Sequence, residues 1–254
     1  MTNLQRAAEA LRAFKKVVFF TGAGISAESG IPTFRDKLTG LWTKHEPQRL
    51  ETANAFRENP ALVWSWYLWR RHHVGQAKPN PAHYSVSQLA VAGWDVSVVT
   101  QNIDDLHERA GSSPVIHLHG SLMDVKCFAC HRPGTLASAQ LETPEEEQLI
   151  EPPRCARCGG KLRPGVVWFG ENLPENSWRS AVRRVKSCEL LVSVGTSGVV
   201  MPAAAIPDMA LAAGATVIHV NIEDVGFGGT DEIMLLGSAG MVLPALLKAA
   251  GVAV

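Results

Sequence analysis

Four of the five cysteines form two C-x-x-C pairs: Cys127 with Cys130, and Cys155 with Cys158. Two such pairs supply four thiolates, which close a tetrahedron around Zn²⁺ at distances of about 2.3 Å and leave no coordination position open. The spacing therefore predicts a structural zinc site, and a glycine directly after the last cysteine is typical of a zinc ribbon. Two disulfides, or one redox-active pair, are alternative interpretations of the same spacing.

A candidate catalytic base lies shortly before the cysteines. His119 stands in the string His-Leu-His-Gly at 117–120, at the end of an apolar run and directly before a glycine. An imidazole, with a reference pKa near 6.5, is suited to general acid-base chemistry around neutral pH. The chain has nine histidines, and most histidines in proteins are not catalytic. The position of His119 at the end of a predicted strand favours it over the others.

A candidate phosphate-binding loop follows the first apolar run. Gly22-Ala23-Gly24 could bring backbone amides close to a pyrophosphate at the start of a helix. The spacing departs from G-x-G-x-x-G, because the next glycine, Gly30, comes six positions later, and no obvious acid follows about 20 residues on. Taken alone, the string fits an ordinary strand-to-helix turn. Phe34 and Arg35 favour a nucleotide site, because they place an aromatic ring and a guanidinium immediately downstream.

The elements that must position these residues are predicted from short apolar runs rich in β-branched residues. They lie at 17–20, 96–100, 115–118, 190–194, 216–221 and 241–243. Continuous apolarity indicates strands buried on both faces. Several runs end in polar or glycine-rich turns, which is where an open parallel sheet gathers its ligand contacts. The predicted fold is α/β, a Rossmann-like doubly wound parallel sheet with a smaller zinc-binding module and a helical insertion.

Two intervals interrupt the alternation of strands and helices and set the predicted domain boundaries. Residues 40–85, rich in tryptophan and charge, form the helical insertion, and residues 121–165 form the zinc-binding module. Residues 1–39, 86–120 and 166–254 then form the nucleotide-binding domain.

Composition excludes several classes of function. The chain has 254 residues, is 46% hydrophobic and carries 24 basic and 24 acidic residues, which favours a globular enzyme over an electrostatic nucleic-acid binder. The cysteine module also lacks the histidine ligands and basic helix of a DNA-binding finger. No run reaches the roughly 20 apolar residues of a membrane span. Free thiols favour the cytoplasm, and we expect a monomer without membrane or nucleic-acid partners.

Seven features in order resemble the sirtuins over nearly the whole chain. They are G-A-G-I-S-A-E-S-G-I-P-T-F-R at 22–35, T-Q-N-I-D at 100–104, H-L-H-G at 117–120, the cysteine pairs, V-V-W-F-G-E at 166–171, G-T-S at 195–197 and N-I-E at 221–223. The resemblance implies removal of acyl groups from protein lysines with NAD⁺ as co-substrate and structural Zn²⁺. Nicotinamide, O-acyl-ADP-ribose and free lysine would be the products.

The resemblance also implies roles for individual residues. The pyrophosphate and ribose end would be bound by Gly22, Ala23, Gly24, Ser26, Phe34 and Arg35. The adenosine half would be bound by Gly195, Thr196, Ser197, Asn221, Ile222, Glu223 and Ala239. The nicotinamide end would be oriented by Gln101, Asn102, Ile103 and Asp104, of which Asn102 and Asp104 count as catalytic. His119 would take a proton from a ribose hydroxyl.

The acyl group is suggested by a second pattern. Tyr67 and Arg70 form Y-x-x-R on one face of a predicted helix and resemble the sirtuins that are desuccinylases and demalonylases. A guanidinium can clasp a distal carboxylate through two parallel bonds, and acetyl-lysine would remain a substrate. An aromatic helix packed on the core, with a snorkelling arginine, is the structural alternative. The substrate backbone would pair with Val166, Val167, Trp168, Phe169 and Gly170 as an added strand.

Two other functions use the same nucleotide site. In mono-ADP-ribosyl transfer, a protein side chain or water takes the ribose in place of the acyl oxygen. An NAD⁺-sensing module without catalysis is the second alternative, and the presence of Asn102, Asp104 and His119 counts against it.

Overall fold

The computed structural model describes residues 1–31, 47–141, 148–224, 229 and 231–252. Phe34 and Arg35 lie outside the described residues. The helices are α1 (Asn3–Ala13), α2 (Pro47–Leu50), α3 (Ala53–Glu58), α4 (Pro60–Gln76), α5 (Pro81–Val91), α6 (Leu106–Arg109), α7 (Glu175–Ser187), α8 (Ile206–Ala212) and α9 (Ala239–Ala249). The strands are β1 (Lys16–Thr21), β2 (Asp95–Thr100), β3 (Val115–His117), β4 (Gly120–Cys127), β5 (Leu162–Val166), β6 (Leu190–Val194), β7 (Thr216–Asn221) and β8 (Glu232–Leu236). Short 3₁₀ turns lie at Ala23–Ile25, Ala27–Ser29, Ser138–Leu141 and Ala203–Ala205.

Within the described ranges, six parallel strands form one sheet in the order β3-β2-β1-β6-β7-β8. The order reverses direction at β1, so the sheet is doubly wound and a crevice opens beyond the carboxyl ends of β1 and β6. The predicted fold class is confirmed. The runs at 17–20, 96–100, 115–118, 190–194 and 216–221 are all strands.

Alternate residues of each central strand pack against helices on opposite faces. Phe19 joins one core, which also contains Leu11 of α1, Leu89 of α5 and Leu246 of α9. The neighbouring Phe20 joins the other core, with residues of α7 and α8. Because both faces are covered, continuous apolar runs are the expected sequence of these strands.

The strand predicted at 241–243 is wrong, because this run lies within α9. The buried residues of α9 are Ala239, Leu243, Leu246 and Leu247, whose spacing of four, three and one is helical. Three residues are too few to distinguish the period of a strand from that of a helix. The sixth strand is instead β8, at the edge of the sheet.

A second sheet and the helical insertion share a separate core. Strands β4 and β5 pair antiparallel, with Gly120 opposite Val166. Phe56 of α3 and Trp64 of α4 pack in the same hydrophobic cluster as Cys127 and Leu162. The residues around the cysteines and those of the insertion therefore stabilise each other. Helix α4 begins at an asparagine cap, where the Asn59 side chain accepts the Leu62 N–H at 3.0 Å, and Pro60 is its first residue.

None of the helices in the described ranges combines the length and apolarity that a bilayer span requires.

Candidate active site

Two glycine-containing loops meet at the carboxyl edge of the sheet. The Gly22 N–H donates to the Val194 carbonyl and the Gly24 N–H to the Gly195 carbonyl, each at 3.0 Å. A Cβ at Gly24 would lie 2.6 Å from the Gly195 Cα, and Gly195 has φ of +61°. These glycines are therefore required for the approach of the two backbones to each other. The loops after β1 and β6 form one continuous wall of the crevice.

A hydrogen-bonded cluster next to the Gly22–Gly24 loop contains Ser26, Asn102 and Asp104. The Ser26 hydroxyl donates to Asp104 Oδ2 at 3.0 Å and accepts from Asn102 Nδ2 at 3.1 Å. All three side chains are buried. Burial raises the pKa of Asp104, and hydrogen bonds from the Leu106 N–H and Ser26 oppose this. The structure thus brings together an amide, a carboxyl group and a hydroxyl in one polar cluster, which includes two of the residues that the sequence resemblance predicts to orient a nicotinamide.

His119 lies between β3 and β4, two residues after β3 ends, and its ring is hydrogen-bonded to a backbone carbonyl. Nδ1 is 2.9 Å from the Gln101 carbonyl oxygen. A carbonyl can only accept, so we assign the proton to Nδ1, which leaves a lone pair on Nε2. Burial lowers the pKa of His119, and the bond to Gln101 offsets only part of this effect. The neutral ring is therefore favoured at neutral pH, and Nε2 is able to accept a proton.

His117 has the opposite electrostatic environment. Burial lowers its pKa, but the hydrogen bond and charge of Glu108 outweigh this, so the pKa of His117 is raised. Nε2 lies 2.7 Å from Glu108 Oε1, and Nδ1 lies 3.0 Å from the Asn102 carbonyl. Both ring nitrogens face acceptors, which is the arrangement of an imidazolium ion.

The two rings should titrate on opposite sides of the ordinary value. In an NMR pH titration of ring carbons, we expect the midpoint of His119 below 6.5 and that of His117 above it. A Glu108→Gln variant removes the carboxylate beside His117, so its midpoint should fall while that of His119 stays nearly unchanged. A midpoint above 6.5 for His119 would contradict the burial argument.

The carboxyl edge of the sheet continues from the loop after β6 to the end of β7 and the start of α9. Asn221 Nδ2 donates to the Thr196 carbonyl at 2.9 Å. Glu28 accepts from the Ser238 hydroxyl at 2.9 Å and from the Gly240 N–H at 2.6 Å, so it fixes the turn that carries Ala239. Three other predicted residues, Ser197, Ile222 and Glu223, lie exposed in the neighbouring turns.

Tyr67 and Arg70 line a narrow pocket between α4 and the β4-β5 sheet. The Tyr67 hydroxyl donates to the Leu122 carbonyl at 2.7 Å, and the Arg70 guanidinium pairs with the Glu51 carboxylate. Leu122 and Val166 form the opposite wall. The chain directly after the wall residue Val166 is tied to the backbone of His119, because the Val167 N–H donates to the His119 carbonyl at 2.8 Å.

The stretch from Val166 to Gly170 leaves β5 and runs along this pocket. The Phe169 N–H donates to the Glu51 carbonyl at 2.9 Å, and Trp168 is buried while Phe169 is about half exposed. Glu171 accepts the Trp168 N–H at 2.9 Å and pairs with the buried Arg163. The backbone of this stretch is therefore fixed by hydrogen bonds to the Glu51 carbonyl and the Glu171 carboxylate.

The four cysteine sulfurs lie within 4.8 Å of one another. The Cys127 and Cys158 sulfurs are 3.4 Å apart, and those of Cys130 and Cys155 are 4.0 Å apart. Zinc bonds of about 2.3 Å give a tetrahedron with edges of roughly 3.8 Å. All four thiols are free, and their separations are far above the disulfide bond length of about 2.05 Å. The donor set fits a closed, structural zinc site, which these four residues would form.

Two residues near the site were not predicted from the sequence. Asn80 caps α5, and its amide donates to the Ile25 carbonyl at 2.7 Å, which ties the helix to the glycine loop. The Asn-Pro pair that begins α5 is a recognisable helix start, and it could have indicated this residue. Glu51 follows α2, and no pattern in the sequence distinguishes it from the other acids.

Comparisons with known proteins agree with this geometry. Residues 22–202 match the family model described as the Sir2 family. The chain is 80% identical over 253 residues to the NAD-dependent protein deacylase of Pseudomonas putida, covering 100% of this chain and 97% of that one. The crystal structure of a Sir2 homolog–NAD complex is 40% identical, with a TM-score of 0.86 and coverage of 97% and 93%. The structure of Sir2Af2 bound to a myristoylated histone peptide is 34% identical, with a TM-score of 0.75 and coverage of 98% and 96%.

Proposed function

The chain belongs to the Sir2 family and is an NAD-dependent protein deacylase, and we propose that it removes succinyl, malonyl and acetyl groups from lysine side chains. The products of this reaction are nicotinamide, O-acyl-ADP-ribose and free lysine. The observation that carries the proposal is the His119 ring at the carboxyl edge of the sheet, whose Nδ1 is fixed by the Gln101 carbonyl. The acyl part of the proposal rests on a pocket that contains a tyrosine and an arginine.

The crevice that the two glycine loops border is the proposed binding site of NAD⁺, which supplies the ribose that receives the acyl group. Gly22, Ala23 and Gly24 lie on the same wall of this crevice as Gly195 and Thr196, because the two loops are hydrogen-bonded to each other. Ser197, Asn221, Ile222, Glu223 and Ala239 complete the adenosine end in the proposal. Phe34 and Arg35 are proposed to cover the phosphates and ribose.

The cluster of Ser26, Asn102 and Asp104 is proposed to hold the nicotinamide carboxamide, together with Gln101 and Ile103. An amide group needs both a donor and an acceptor, and the cluster contains both. Fixing the leaving group in one orientation places the ribose carbon for attack by the acyl oxygen. Positioning of this kind can supply a large part of the rate enhancement when the nucleophile is weak.

His119 is the proposed general base. The Gln101 carbonyl fixes the proton on Nδ1, so Nε2 takes the proton from a ribose hydroxyl as that hydroxyl attacks the acyl carbon. Since burial keeps the pKa of His119 below 6.5, the ring is in its basic form at neutral pH.

The pocket lined by Tyr67 and Arg70 is the proposed site of the acyl chain, and part of its lining comes from the proposed helical insertion at 40–85. Arg70 is proposed to clasp the distal carboxylate of a succinyl or malonyl group, next to the Tyr67 hydroxyl. The acyl-lysine protein would bind in extended form along Val166 to Gly170. That this stretch adjoins both the pocket wall and the His119 carbonyl supports the assignment.

The acyl assignment predicts a selective effect of Arg70→Met. With NAD⁺ present, kcat/KM for a succinyl peptide should fall by about a hundredfold, because a charge-assisted bidentate contact is lost in a site built for it. Kcat/KM for the matching acetyl peptide should fall much less, since that peptide has no distal carboxylate. Mass spectrometry of the products checks that O-acyl-ADP-ribose forms.

Arg57→Met is the matched control, because it removes an exposed cation of α3 that does not line the pocket. It should leave the ratio of succinyl to acetyl kcat/KM unchanged. Equal losses for both peptides in Arg70→Met would remove the basis for assigning acidic acyl groups to this pocket.

A further inference from the structure

A buried glutamate lies in the proposed acyl pocket, where the reaction assigns it no role. The Glu51 side chain is 7% exposed and pairs with the Arg70 guanidinium, whose side chain is 21% exposed. Both residues line the pocket with Tyr67 and Val166. The Glu51 backbone is fixed as well, because its carbonyl accepts the Phe169 N–H at 2.9 Å.

The ion pair between Glu51 and Arg70 limits the availability of the Arg70 guanidinium to an acyl carboxylate. A guanidinium is the group that would engage an acyl carboxylate, and in this structure Arg70 Nη1 is already paired with Glu51 Oε1. The Arg70 guanidinium also lies over the Trp66 ring, with Cζ 4.8 Å from the ring centre. The arginine is therefore held from two sides by groups of its own chain.

The Tyr67 hydroxyl, which lines the same pocket, is also hydrogen-bonded within the chain. Tyr67 donates to the Leu122 carbonyl and accepts from Arg71 Nη1 at 3.2 Å, and Arg71 itself donates to the same carbonyl at 2.7 Å. An incoming acyl carboxylate would have to displace Glu51 from Arg70, or share the guanidinium with it. Two carboxylates on one buried cation repel each other, so either route costs binding energy. A neutral acyl group incurs no such cost.

We propose that Glu51 is a specificity-determining residue, which occupies Arg70 in place of an acyl carboxylate and so favours neutral acyl groups over succinyl and malonyl groups. The inference rests on the proposed function and deepens it. Acidic acyl groups remain substrates, but at a rate set by competition with an internal carboxylate.

The competition has a direct consequence for Glu51→Gln, which keeps the shape of the side chain and removes its charge. The ratio of succinyl to acetyl kcat/KM should rise by about tenfold or more, which corresponds to about 1.4 kcal/mol. Glu58→Gln is the matched control, because it removes an exposed carboxylate of the adjacent helix α3. It should leave the ratio unchanged.

A double variant tests whether Glu51 acts through Arg70. In the Arg70→Met background, Glu51→Gln should produce little gain for the succinyl peptide, because burial without the opposing charge of Arg70 raises the pKa of Glu51 further and favours its neutral form, which does not repel the acyl carboxylate. Thermal melting of each variant checks that the fold is retained, and Glu51→Ala provides a second neutral side chain should Glu51→Gln fold poorly.

Peptide binding without NAD⁺ separates this inference from the proposed function. The Kd of a fluorescent succinyl-lysine peptide should fall in Glu51→Gln relative to the parent chain, whether or not turnover occurs. If the chain removes none of the acyl groups when NAD⁺ is added, that result would count against the proposed function but not against this inference. An unchanged or lower succinyl-to-acetyl ratio, with unchanged or weaker binding of the succinyl peptide, would show that Glu51 merely positions Arg70 and would overturn the inference.

Discussion

Replacing His119 with alanine is expected to lower kcat for deacylation by about 10²-fold to 10⁴-fold, the usual contribution of a general base. The ribose hydroxyl would then have to lose its proton to water, which is neither positioned nor as basic as a neutral imidazole. The lost ring makes one hydrogen bond to the Gln101 carbonyl, so the melting temperature should change little. Quantification of O-acyl-ADP-ribose by mass spectrometry measures the loss.

The order of steps gives this variant a second readout. In the proposed reaction His119 acts after the bond to nicotinamide has broken, so exchange of labelled nicotinamide into NAD⁺ should persist in His119→Ala while product formation is lost. His72→Ala, which removes an exposed imidazole of α4, should leave both reactions unchanged. If His119→Ala retains parental deacylation, or if exchange and product formation fall together, the proton transfer must be assigned to another group.

The sheet and the edge that carries the site could be predicted because two simple rules act together. Strands buried on both faces have to be apolar throughout, so the central strands stand out as short continuous runs. Parallel strands end at one edge, so the polar turns that follow them must meet there. Asn102 and His119, which are distant from Gly22 in sequence, are placed at the same edge by this argument.

One edge strand, β8, escaped the same rule for a physical reason. Strand β8 has one neighbour, and its residues alternate between buried and partly exposed, so its sequence does not read as a continuous apolar run. Helix α9 contains a short apolar run that imitates one. The criterion of continuous apolarity therefore identified a helix segment as a strand and passed over β8.

The glycines were predicted for a different reason from the one that the structure gives. The sequence argument assigns Gly22 and Gly24 to the approach of a pyrophosphate. In the structure, a Cβ at Gly24 would already clash with the Gly195 backbone. The contact involves residues from two loops far apart in the chain, and neither loop alone indicates it.

The pair between Glu51 and Arg70 could not be predicted for a related reason. Arg70 was recognised through its spacing from Tyr67 on one helix, which is a local property. Its partner lies 19 residues earlier, outside that helix, and reaches it only because α3 and α4 fold back on each other. The specificity that we propose for this pocket thus depends on tertiary packing that no local pattern encodes.

Loss of the metal site should have an effect as large as loss of the base, although no cysteine takes part in the chemistry. Structural zinc contributes roughly 10–16 kcal/mol in small zinc domains, which equals or exceeds the typical stability of a whole domain, about 5–15 kcal/mol. Cys155 is buried in the same hydrophobic cluster as Tyr67 and Trp168, which border the proposed acyl pocket. In Cys155→Ser we therefore expect zinc content near zero, a disordered β4-β5 sheet and at least a hundredfold loss of deacylation.

The test separates the metal from cysteine loss in general. Cys188→Ala removes a buried thiol that lies outside the zinc cluster, so it should keep one zinc per chain and near-parental activity. Metal content is measured by mass spectrometry, and order of the β4-β5 sheet by amide hydrogen exchange. The six-stranded sheet has its own two cores, and its central strands should remain protected from exchange in Cys155→Ser. Full zinc content or full activity in Cys155→Ser would show that the four sulfurs do not hold a structural ion. The fold around the proposed acyl pocket would then have to be stabilised by side-chain packing alone.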